Sequence, residues 1–180
     1  MTLSLSPPPR TGRAQAGSSC ASSGKSTFSH TGPTRLTVGA PGRWRAVVEQ
    51  QLDIPLREPA LAAMRSAGAR TLARGRFDPV ESPGDGRASL YRLPNDRLAL
   101  RLEDLRTAAY PDLFVWVSEA RDPTTSAQAV AAPHVELGPL KSTRGDQNYL
   151  LPKGLDRHAV ASVVIWRAPT RMAYTAAALE

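Results

Sequence analysis

The sequence predicts a mainly β fold, an antiparallel β-sandwich or small barrel, preceded by a disordered N-terminal tail and a short helical linker. Three observations carry that prediction. From Gly75 onward apolar residues recur at every second position, the period of a strand with one face buried. The apolar runs are short and separated by Pro, Gly, Asn and Asp. No ten-residue amphipathic helix lies between them, as the crossovers of a parallel sheet would require.

The 180 residues divide into three parts: a tail over 1–43, a linker over 44–74 and a β domain over 75–180. The tail is rich in Ser, Pro, Gly and Arg and has no acidic residue. Such a composition buries too little apolar surface to offset the entropy of ordering. Disorder, or translation from a start codon placed too early, is the expectation. The stretch "CASSGKST", Cys20 to Thr27, ends like a phosphate-binding loop, but Ser19 stands where that motif needs its first glycine. No run nears the roughly 20 apolar residues of a membrane span, and the N-terminus lacks the apolar core of a secretory signal. The chain therefore reads as soluble, with no membrane span.

In the linker, Pro55 and Pro59 interrupt helix-forming sequence. Short helices are expected over Trp44–Leu52 and Pro59–Ser66. In the β domain, "RASLYRL", the turn "PND" and "RLALRLEDL" predict a hairpin. Its second strand puts Leu98, Leu100 and Leu102 on a buried face, with Ala99, Arg101 and Glu103 opposite. "PDLFVWVSE", from Pro111, is apolar on both faces and predicts a central strand; "SVVIW", from Ser162, reads the same way. In "RMAYTAAAL" alanine favours a helix, yet Met172, Tyr174, Ala176 and Ala178 alternate. The turn residues Ala168 and Pro169 before it favour a closing strand.

Charge narrows the partner classes. The formal net charge is +7, but residues 1–75 hold 10 basic and 3 acidic residues, while residues 76–180 hold 13 of each. A neutral domain lacks the basic footprint for phosphate backbones, so nucleic acid is not an expected partner. The single cysteine, Cys20, rules out an intramolecular disulfide and a Cys-based metal cluster. His30, His134 and His158 are scattered, and no metal site is assigned. No G-x-S-x-G occurs, and the adjacent Glu103 and Asp104 point to opposite faces of a strand. No catalytic residue is assigned and no enzyme is expected.

The densest polar stretch is "LGPLKSTRGDQNYLLPKGLD", Leu137 to Asp156. Gly138, Gly145 and Gly154 permit turns, and Asp146, Gln147, Asn148 and Tyr149 crowd polar groups together. Such a segment is either a ligand-binding loop or a corner whose side chains satisfy buried backbone groups, and spacing favours the corner.

The run from Gly75 resembles the DM-thirteen domain, a β domain that accompanies DOMON domains in Skeletor-like animal proteins and stands alone in many bacterial envelope proteins. The shared elements are "GRF" at Gly75, Gly86 before a strand, "LRLEDL", "PDLFVWVS", "LGPLKSTRGDQNYLLP" and "SVVIW", in the family's order. The resemblance implies a mostly β fold, an extracytoplasmic or membrane-associated setting, and electron transfer as the family's proposed role. It ties that role to a cysteine directly after the "IW" pair; here the position is Arg167. Where many members carry a histidine ahead of the glycine matching Gly86, this chain has Ser82.

A guanidinium cannot be oxidised like a thiol or ligate a metal as one. Two readings follow. One is a non-redox binding or structural module of the cell envelope, with an envelope protein or glycan as partner. The other is the family's electron transfer, with an unspecified cofactor or with Trp166 and Tyr149 as redox-active aromatics. The candidate functional residues are Asp112, Asp146, Gln147, Tyr149, Trp166 and Arg167. Because an unpaired buried guanidinium is costly, Arg167 is expected to pair with Asp112 or Asp146.

Overall fold

The computed structural model describes residues 54–110 and 112–180 in full and the backbone of three short stretches before them. The chain divides into two compact units, Met1–Gln50 and Gln51–Glu180. In the first unit, β1 (Thr2–Ser6) pairs antiparallel with β2 (Gln15–Gly17) and β3 (Arg35–Gly39). These strands fall within the tail expected to be disordered; the rest of residues 1–43 lies outside the described residues, as does the Trp44–Leu52 helix.

The second unit is one nine-stranded sheet that curls into a half-barrel, in the order β4-β10-β7-β6-β5-β12-β11-β8-β9. Its strands are β4 (Leu56–Arg57), β5 (Arg70–Pro79), β6 (Gly84–Arg92), β7 (Leu98–Thr107), β8 (Leu113–Ser118), β9 (His134–Pro139), β10 (Arg144–Leu150), β11 (Ser162–Arg167) and β12 (Met172–Ala178). All neighbours are antiparallel except β4, which runs parallel to β10. The mainly β expectation holds, and the barrel alternative describes the curl. One six-residue helix, α1 (Ser126–Ala131), is capped by the Thr125 hydroxyl, which accepts from the Gln128 N–H.

Curling brings the inner faces of both halves onto one core. Leu90, Leu100, Leu102 and Leu105 from one half meet Val115, Val117, Val163 and Ile165 from the other. The end of β12 packs directly against β5 at Gly75, where a side chain would collide with the Ala178 carbonyl. The predicted hairpin is β6–β7, with Leu90 opposite Leu100. The segment from Met172 is a strand, but it joins the two halves between β11 and β5 and does not close an edge.

One expectation changes in its consequence. The outward face of β7 is covered: Ala99 is buried with Met64 and Leu93, and Arg101 is only 7% exposed. The cover is the arm from Ile54 to Arg65, in which the expected Pro59–Ser66 helix shrinks to a 3-10 turn over Ala62–Arg65. The Ser66 hydroxyl donates to Ala63 O and ends that turn. A second outer cluster, Trp116, Val164, Trp166, Ala173 and Ala176, lies against Ala129 of α1.

Candidate functional site

Strand direction gathers residues 80–83, 108–110, 112, 140–143 and 168–171 at one end of the half-barrel, since β5, β7, β9 and β11 end there and β6, β8, β10 and β12 begin there. The six predicted residues are distributed over three environments around it.

Gln147 and Tyr149 face inward on β10. Gln147 is fully buried. Its Oε1 accepts from the Lys141 N–H at 3.0 Å, the Ser142 N–H at 3.2 Å and the Tyr149 hydroxyl at 2.9 Å, while its Nε2 donates to Ser142 O at 2.6 Å. The Tyr149 hydroxyl accepts a further bond from Lys141 N at 3.1 Å. Burial pushes the Tyr149 phenol well above its ordinary value of 10.0, only partly countered by the Lys141 N–H. The pair thus fixes the β9–β10 loop from beneath, the arrangement of a structural corner.

Asp146 faces outward. Its Oδ1 accepts from the Asp104 N–H at 2.9 Å, where β7 and β10 slip register, and its Oδ2 accepts from Arg101 at 3.2 Å. Arg101 also donates to Glu103, Asn148 and the Glu58 carbonyl, so its buried charge is fully surrounded by acceptors. Glu58 completes the clamp by accepting from Lys141 Nζ at 2.9 Å and from the Asn148 N–H at 2.9 Å. Gly145, at φ +97°, lies against β4 so closely that a side chain would strike Leu56 O. This network ties the arm to β10.

Trp166 and Arg167 end β11. Trp166 lies on the outer face, its ring stacked on Trp116 at 4.3 Å and 21°. Trp116 stacks in turn on the exposed His134 at 3.9 Å and donates from Nε1 to Glu136 at 3.3 Å. Tyr149 and Trp166 therefore occupy opposite faces of the sheet and belong to different clusters. Arg167 stands opposite Leu113 and Met172. Its guanidinium lies over the Tyr110 ring, 4.5 Å from the centroid, and Tyr110 meets the core residue Tyr174 edge-on at 5.8 Å. The Arg167 Nε is buried without a hydrogen-bond partner.

The expected ion pair is thereby corrected. Asp146 is held by Arg101 and Asp104, far along the sheet order from β11, and among the described residues Arg167 forms no salt bridge. Its desolvation is offset by an aromatic face instead of a carboxylate. Asp112, in a left-handed conformation at φ 62°, contributes its carbonyl to the Ala168 N–H across the strand ends.

Sequence reasoning missed Tyr110, Trp116, His134, Arg101 and Glu58. Trp116 was within reach: once β8 and β11 are neighbours, it lies diagonal to Trp166 on the same face. Tyr110 and Glu58 sit outside the strand pattern and carry no periodic signal.

A family model described as electron transfer DM13 matches residues 76–179. No curated protein and no solved structure matches the chain.

Proposed function

The chain belongs to the electron transfer DM13 family, and from that premise we propose that it is a cell-envelope module that acts by binding, or as a structural element, without itself carrying electrons. The observation behind this reading is Arg167. The resemblance puts a cysteine at the end of β11, and a guanidinium held over Tyr110 stands there. A guanidinium keeps its charge and has no accessible redox couple. In this reading the half-barrel is retained as scaffold, the setting is extracytoplasmic or membrane-associated, and the partner is an envelope protein or glycan. No helix among the described residues is long and apolar enough to cross a membrane.

Electron transfer is the second reading, favoured by the contiguous rings of Trp166, Trp116 and exposed His134. Ultraviolet-visible spectra of the 180-residue chain before and after anaerobic dithionite separate the two. The binding reading expects no visible band and no spectral change. A band that bleaches on reduction would establish a redox group and reverse the order of the readings.

A further inference from the structure

We propose that the Arg167 end of the half-barrel is a carboxylate-binding site, taking an acidic ligand whose apolar body lies against Tyr110. The inference rests on the reading that this module binds, and it names the ligand class. Three features at this end point to an anion. Arg167 is half-buried with its Nε shielded from water and given no acceptor, and it forms no salt bridge among the described residues. Its guanidinium is held in place by Tyr110, which Tyr174 braces edge-on, so the donors are positioned before any ligand arrives. The Tyr110 residue remains 49% exposed, leaving aromatic surface beside the charge.

The backbone around Arg167 is also constrained. Asp112 and Arg171, on either side of it, both hold left-handed conformations, at φ 62° and φ 53°. Such conformations are uncommon outside glycine and persist where surrounding structure enforces them. Carboxylate is favoured over phosphate on charge. A single forked guanidinium matches a planar monoanion in two parallel hydrogen bonds.

The test is a titration of the 180-residue chain with sodium benzoate, sodium acetate, inorganic phosphate and sodium chloride at matched ionic strength. It is followed by nuclear magnetic resonance at the Arg167 Nε–H and the Tyr110 ring. Benzoate is expected to give saturable shifts at both positions, acetate a weaker response at Arg167 alone, and phosphate and chloride only linear drift. Arg167→Lys keeps the charge and loses the fork, and should weaken benzoate about tenfold, the loss of one charge-assisted hydrogen bond. Tyr110→Leu should reduce the preference for benzoate over acetate. If benzoate drifts as chloride does, if phosphate alone saturates, or if Arg167→Lys binds benzoate unchanged, the carboxylate site is overturned. The non-redox reading would then still stand or fall on the dithionite spectra.

Discussion

Arg167 of β11 and Tyr110 of the loop before β8 form a cation–π contact at 4.5 Å, at the end of the sheet where four loops converge. Exposed contacts of this kind contribute about 0.5–1 kcal/mol. Tyr110→Leu should therefore lower unfolding stability by about 1 kcal/mol once the edge contact with Tyr174 is included. Urea denaturation reads this directly, and an unchanged midpoint would show that the ring does not hold the guanidinium.

Gln147 is the most connected polar side chain inside the half-barrel. Replacing it with Leu takes the Gln147 partner from the Ser142 N–H and the Ser142 carbonyl, while the Lys141 N–H keeps the Tyr149 hydroxyl. Each unsatisfied buried group costs about 1–3 kcal/mol, so Gln147→Leu should destabilise by more than about 2 kcal/mol. Tyr149→Phe should cost about 1 kcal/mol, because only one hydroxyl is lost. Paired urea curves for the two variants test the ordering; equal losses would place the loop's support in Tyr149.

Glu58 makes the attachment of the arm depend on pH. Burial raises its carboxyl pKa, but hydrogen bonds from Lys141 and the Asn148 N–H, with the Lys141 charge, outweigh that and hold it below its ordinary 4.5. The folded value lies under the unfolded one, so the unfolded chain takes up the proton first as pH falls. Glu58 contributes its full stability above the ordinary carboxylate range and loses it as pH drops through that range to the lowered value. Stability measured from neutral pH into acid should fall more steeply in the native sequence than in Glu58→Gln. Parallel slopes would contradict the clamp.

Gly145→Ala should detach β4 from β10. The added methyl would strike Leu56 O, and the φ of +97° is strained for any side chain. Hydrogen exchange at the Glu58 amide, which donates to Asp146 O, is expected to quicken while the Leu100 amide in β7 stays protected. Unchanged exchange at Glu58 would mean that the arm is held by the Arg101 and Glu58 contacts alone.

The strands were the legible part of this fold. Alternation in "RLALRLEDL" and the two-faced apolarity of "LFVWV" and "SVVIW" reflect local burial, and β7, β8 and β11 follow them. The order of the sheet was not legible, because nothing local says that β12 bridges the halves. Nor was the burial of Arg101, which depends on an arm more than 30 residues upstream covering a face that reads as polar. In the candidate site, the polar crowding around Gln147 and Tyr149 was legible, and the structural corner favoured for that segment is consistent with their hydrogen bonds to the β9–β10 loop. Arg167 was expected to pair with an acid, and the group found against its guanidinium is the Tyr110 ring. Tyr110 escaped because a lone tyrosine in a loop has no period to betray it.

The central claim is that the chain carries no electrons at the end of β11. Anaerobic coulometric titration of Cys20→Ser protein, which removes any contribution from the single thiol, counts the electrons accepted per chain. The account predicts none, with Arg167→Ala behaving alike. Reversible uptake of one or more electrons per chain would contradict it.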